Sequence, residues 1–167
     1  MGKWKDRAER AWGGDLGELN VHPGRVLVAF EEMEAGLGFM SAFSNALIVV
    51  TDEGLVFVDT SGLFHAQEFF DGVRAWSPKR VHTGIYTHGH VDHVFGLRPF
   101  EGEAEEKGWP KTRVIAHEAC PARFDRYRIT GGYNGFINAR QFNFPRPVFP
   151  RHFRYPDEPI SLARVLE

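Results

Sequence analysis

Four side chains able to bind a metal ion fall within six residues: His88, His90, Asp92 and His93, in the run Thr87-His88-Gly89-His90-Val91-Asp92-His93. Neutral imidazole and carboxylate are the donors that zinc, manganese or iron takes where thiolate is missing. Cys120 is the single cysteine, which excludes an intrachain disulfide framework and a cysteine-rich zinc knuckle. Residues i and i+2 leaving a strand point to one side, so His88 and His90 can grip one ion, and Gly89 allows the bend without a Cβ clash. Asp92 and His93 arrive on the next turn and can face a second ion about 3.5 to 4 Å away, the separation at which two metals share a bridging hydroxide. Water held in this way ionises near neutral pH and becomes a nucleophile. Even with eight histidines in 167 residues, four such positions coincide by chance only about once in a thousand.

The elements that must position this cluster surround it. Trp4, Ala8, Ala11 and Trp12 stand at helical spacing, predicting a short amphipathic helix over 3–12 that Gly13-Gly14-Asp15 ends. Extended runs follow at Val26–Phe30, Asn45–Thr51 and Leu55–Asp59, the last two joined by the tight turn Asp52-Glu53-Gly54. His65–Trp76 places Phe69, Val73 and Trp76 on one helical face, Ser77-Pro78 closes it, and Val81–Thr87 returns as a strand. Strand, helix and strand in so short a span predict a βαβ unit with a right-handed crossover, whose functional groups gather at the strands' C-terminal ends. That end is the histidine cluster.

Beyond it lie a polar stretch from Glu101 to Gly108, a short strand at Arg113–Ala116, and two helices, Glu118–Tyr127 and Asn134–Phe142, parted by Gly131-Gly132. Five of the ten prolines then fall between Pro145 and Pro159 among Phe144, Phe149 and Phe153, which predicts an extended surface segment before a further element begins at Ile160–Leu166. The fold class is α/β (α+β). The chain divides into an N-terminal helix and loop (1–24), a main body (25–143) and a proline-rich extension (144–167).

Charge and composition narrow the partners. Twenty Lys and Arg balance 22 Asp and Glu to a net −2, too little field to recruit nucleic acid or an anionic membrane. The apolar run from Ala46 to Val58 is broken by Thr51, Asp52 and Glu53, far short of the roughly 20 residues of a membrane span. The N-terminus is charged and lacks the apolar core of a secretory signal. A cytoplasmic protein is expected.

Several other residues admit two readings. Asp59 ends a strand and either hydrogen-bonds a ligand histidine or caps a turn. His117 either approaches the cleft from its strand end or is a hydrogen-bonded, partly exposed histidine, the favoured reading. Cys120 is expected to be buried and inert rather than nucleophilic. Arg123, Arg126 and Arg128 either recognise an anionic head such as sulfate, phosphate or carboxylate or pair with Glu118 and Asp125 on the helix surface. Tyr127, Tyr133 and Phe136 fit a core better than a substrate channel.

The run Thr87–His93 matches the T-H-x-H-x-D-H signature of the metallo-β-lactamase-fold hydrolases, and Asn45–Val50 with Val56-Phe57-Val58-Asp59-Thr60 resembles that family's two leading strands. Ala116-His117-Glu118 and the stretch Tyr133–Asn138 look like the branch related to alkyl sulfatases. The resemblance implies an αββα sandwich of which this chain is the N-terminal half. It also implies that His88 and His90 bind the first ion and Asp92 and His93 the second, with Asp92 holding the attacking water. The implied further ligands belong to the second half of that fold. After His93 only His117 and His152 remain, and neither sits in the context of those ligands, so each ion is left short of the three protein ligands of a catalytic zinc.

The leading expectation is a metal-dependent hydrolase, carrying one or two zinc ions with manganese or iron as alternatives, that directs a metal-bound hydroxide at an ester-like small molecule such as a sulfate ester or lactone. The alternative is a non-catalytic or truncated metal-binding fragment of such an enzyme, prone to self-association. A metallo-nuclease requires a basic groove, for which only Arg140, Arg146, Arg151 and Arg154 speak.

Overall fold

A computed structural model describes residues 3–15, 28–142, 145 and 151–161. Its frame is one seven-stranded sheet in sequential order: β1 (Ala29–Glu34), β2 (Leu37–Ser41), β3 (Ala46–Val50), β4 (Leu55–Val58), β5 (Val81–Tyr86), β6 (Arg113–His117) and β7 (Glu158–Ile160). The first four strands are antiparallel neighbours, and β4 to β7 run parallel. Helix α2 (Ala66–Trp76) makes the predicted crossover from β4 to β5. The mixed α/β class expected from the sequence holds.

Period-2 alternation assigns the two faces. On one, Met40, Ile48, Leu55, Phe57 and Tyr86 are buried against α2, α3 (Arg98–Lys107) and α4 (Ala119–Phe142). Phe57, Phe69 and Phe100 meet there with ring centroids 4.9 to 5.4 Å apart in tilted or edge-on contacts, the geometry that aromatic quadrupoles favour. On the other face the register aligns Phe39, Leu47, Val58, Ile85 and Ile115 across five strands. Trp4 of α1 (Lys3–Trp12) lies edge-on to Phe39, while Leu47 and Val49 stay 40% and 38% exposed. Helices α2, α3 and α4 thus cover the first face, while α1 lies on the second, at the β1–β2 edge.

Four expectations need correction. Strand β2 was not anticipated: Leu37-Gly38-Phe39-Met40-Ser41 carries a glycine mid-strand, because a Cβ there would come within 2.6 Å of the Phe30 ring. Helix α3 occupies what reads as a polar stretch, since only Phe100 and Ala104 of it are buried. The two helices expected after β6 are one, α4, continuous through Gly131-Gly132. Two helical glycines cost only about 1 kcal/mol each, and α4 is anchored on both sides of them, by buried Phe124 and by Phe142 edge-on to Phe43. The first strand begins at Ala29, and Val26, Leu27 and most of 144–150 and 162–167 lie outside the described residues.

Residues 151–161 of the proline-rich segment run extended and are exposed or half-buried apart from one anchor. Phe153 is buried and stacks on Phe124 at 4.6 Å. Arg154 donates to Glu101 Oε1 (2.7 Å), the Thr112 carbonyl (3.0 Å) and Asp157. Asp157 also accepts the Val114 N–H (2.9 Å), which docks β7 beside β6. Burial alone would raise the Asp157 carboxyl, but Arg154 and the Val114 N–H hold it below its ordinary 3.8. A depressed carboxylate stabilises the fold above its unfolded value and loses that contribution as pH falls through the folded one. Arg154→Met is therefore expected to cost about 1 to 2 kcal/mol at pH 7, allowing for solvent screening of the partly exposed Asp157. The gap between variant and wild type in urea unfolding should close as the pH drops below 3.8.

Candidate metal centre

Strand β5 stops at Tyr86, so His88 and His90 leave on the loop that follows it, at the carboxyl edge of the parallel strands. The His88 ring lies 4.5 Å from that of His90 and 4.2 Å from that of His93, centroid to centroid. Asp92 Oδ2 is 3.3 Å from His93 Nε2. His88 is thus flanked by His90 and His93, and Asp92 lies beside His93, with His90 exposed and the other three half-buried. Of the four, only His88 and His93 join a group of three close donor atoms.

Asp59, just past the end of β4, ties this loop to the sheet. Its carboxylate accepts the Thr87 N–H (2.8 Å), the Thr87 hydroxyl (2.7 Å) and His93 Nδ1 (2.8 Å). Of the two readings left open for Asp59, the one in which it hydrogen-bonds a candidate ligand histidine holds, and the same carboxylate also ties Thr87. Burial would raise its pKa, yet the His93 and Thr87 hydrogen bonds hold it below 3.8. An ionised Asp59 accepts only, so Nδ1 of His93 carries a proton and Nε2 is the atom turned towards Asp92. Burial works against charge on His93, but Asp59 and Asp92 raise its pKa to about 9. His90, although exposed overall, is pushed the other way, by the partial desolvation of its ring first and then by the neighbouring His88 and Arg123.

Residues remote in sequence complete the support, and nothing in the pattern around them announced it. Thr60 donates both its N–H (2.8 Å) and its hydroxyl (2.9 Å) to the His93 carbonyl. Ser44 donates its hydroxyl to the Asp92 carbonyl. Asp59 and Ser61 hold φ of 57° and 60°, a left-handed conformation that side chains rarely adopt and that recurs at functional turns.

The donor set suits a zinc-type cation. Single donor atoms from Asp59, His88 and His93 lie within 4.8 Å of one another, and imidazole with carboxylate is the ligand chemistry such ions take. Asp59 is the member of that trio not assigned as a ligand from the sequence. From the sequence Asp59 is read instead as a partner of a ligand histidine, which is the contact it makes with His93.

The remaining candidates separate. His117 Nδ1 accepts the Ala119 N–H (3.1 Å) at the start of α4, and its ring is exposed. Cys120 is buried, and burial pushes its thiol up, which leaves it a poor nucleophile. Arg128 lies 3.6 Å from Asp125. Tyr127 packs on Phe153, whereas Tyr133 and Phe136 are 68% and 49% exposed and form no core.

The sequence pattern of the Metallo-beta-lactamase superfamily matches residues 42–161, most of the chain. The chain belongs to that superfamily. Among solved structures, this superfamily member resembles the stereoselective inverting sec-alkylsulfatase Pisa1 from Pseudomonas sp., at 22% identity over 69% of this chain and 19% of that chain, with a TM-score of 0.56. A metallo-beta-lactamase from Cronobacter sakazakii matches at 17% identity over 84% of this chain and 46% of that chain, TM-score 0.49. The likeness to the alkylsulfatase is one of fold, and the chain spans about a fifth of that enzyme's length. No curated protein matches the chain. No helix among the described residues is long and apolar enough to cross a membrane.

Proposed function

We propose that this chain supplies the metal-binding loop of a metal-dependent hydrolase acting on an ester-like small molecule, a sulfate ester or lactone among them. The observation that carries the proposal is the packing of the His88 ring against those of His90 and His93, with Asp92 beside His93 and Asp59 completing a trio of close donors with His88 and His93. Membership of the superfamily supports it. In this reading His88 and His90 hold one ion and Asp92 and His93 a second, with zinc favoured over manganese or iron. A bound ion of this kind supplies a Lewis acid and lowers the pKa of its water to near neutrality. The chain's own contribution is placement. Asp59 fixes the His93 ring so that Nε2 is presented, Thr60 and Ser44 pin the backbone of His93 and Asp92, and the Asp92 carboxylate orients the attacking water and accepts its proton.

The donor count favours a second reading, in which the chain binds metal without turning over substrate. Four donors from one loop are fewer than three per ion for a two-ion centre. Zinc titration of the 167-residue chain with a screen on generic esters separates the two. Both readings expect about two equivalents of zinc or fewer and loss of binding in His90→Ala and Asp92→Ala. Turnover belongs to the first reading only. Zinc content unchanged in the two variants would remove both.

A further inference from the structure

The three arginines grouped on α4 have different surroundings. Arg128 is engaged by Asp125 and Arg126 points to solvent, whereas Arg123 is half-buried and lies against the histidine loop itself. A Cβ built on Gly89, between His88 and His90, would stand 3.0 Å from both Cβ and Cγ of Arg123. The helix is therefore pressed onto the loop at this point. Among the described residues no carboxylate lies within ion-pair distance of Arg123. Its guanidinium stacks over the Tyr127 ring, 5.0 Å from the centroid, with one long hydrogen bond to the Tyr127 hydroxyl (3.4 Å). Stacking holds the plane of a guanidinium while leaving most of its five N–H donors unused.

A fixed cation with spare donors, beside a cluster built to hold metal ions, is the arrangement that receives an oxyanion in bidentate fashion. We infer that Arg123 binds an anionic group of the substrate, a sulfate, phosphate or carboxylate oxyanion, and so sets specificity for anionic over neutral esters. This rests on the hydrolase reading given above, because the anion is placed next to the bond that the metal centre would attack. It singles out one of three arginines, and Arg126 and Arg128 serve as controls.

The test is titration of the chain with inorganic sulfate, phosphate and acetate, with and without zinc, followed by the Arg123 side-chain Nε–Hε signal in NMR spectra. Arg123→Met keeps the aliphatic stem that packs on Gly89 and removes the charge. It should weaken binding of the preferred anion about tenfold or more, while zinc affinity stays within about twofold because no zinc ligand is touched. Arg123→Lys should recover part of the loss and Arg126→Met none of the effect. The preferred oxyanion tells a tetrahedral head from a planar carboxylate. Equal anion affinity in wild type and Arg123→Met, or no anion binding by the wild type, overturns the inference. Failure of the hydrolase reading is read separately, from a wild-type chain that takes up no zinc.

Discussion

Gly96→Ala should abolish stable folding or cost more than about 4 kcal/mol in urea unfolding. A Cβ at this position would lie 1.7 Å from the carbonyl oxygen of Thr60 and 3.2 Å from the Phe69 ring. The first of these contacts is with backbone that cannot yield. Thr60 is held by two hydrogen bonds to the His93 carbonyl, and its hydroxyl also receives the Gly96 N–H (3.3 Å). Relief of the clash must therefore separate the end of β4 from the loop that carries the metal-binding candidates. Gly102→Ala is the control, being the same chemical change on the exposed side of α3 with nothing within 4 Å. It should raise stability by about 0.5 to 1 kcal/mol through the usual helical preference for alanine. Opposite signs from one substitution type identify close approach, rather than glycine flexibility, as the reason for Gly96. A Gly96→Ala chain that unfolds at the wild-type urea concentration would refute the packing described here.

Asp59→Ala should cost about 3 to 5 kcal/mol at pH 7 and weaken zinc binding although, in the proposed scheme, Asp59 is not itself a ligand. The side chain is only 9% exposed and satisfies three donors. Its removal leaves His93 Nδ1 without a partner in a half-buried place, which costs more than the hydrogen bond itself contributes, and frees the Thr87 N–H. Asp59→Asn keeps one acceptor and should cost about half as much. The discriminating readout is the His93 ring in ¹⁵N NMR. Read above about pH 9, where the wild-type ring is neutral, Nδ1 should stay protonated in the wild type, whereas in Asp59→Ala the neutral ring should redistribute between tautomers. A variant that keeps both wild-type stability and the wild-type tautomer would show Asp59 to be a bystander.

Local patterns carried the sequence reading where local forces decide the outcome. The hairpin from β3 to β4 and the crossover through α2 were legible because β-branched runs, a tight turn and a helical apolar stripe each act over a few residues. Strand β2 was not, since Gly38 makes sense only against Phe30 and Trp76 on other elements. The sequence divides α4 in two because the cost of two glycines is visible in it while the packing of Phe124 and Phe142 is not. The site divides along the same line. His88, His90, Asp92 and His93 are neighbours in the chain, so spacing alone grouped them. Asp59 was legible as a histidine partner from its place at a strand end, whereas Ser44 and Thr60 reach the same loop from 48 and 33 residues away, and the strand pairing that delivers them is a property of the whole sheet.

The cross-links from Asp59 and Thr60 to the histidine loop also set how this region breathes. Thr87 and His93, at either end of that loop, are both tied to the same carboxylate, so neither end can swing out without releasing it. Opening fluctuations of this segment must then be collective and rare, and the Thr60 and Thr87 amides should exchange their protons with solvent on the slow timescale of the buried strands rather than that of a surface loop. Rigidity at this edge is thus laid down by the polypeptide before any ion arrives.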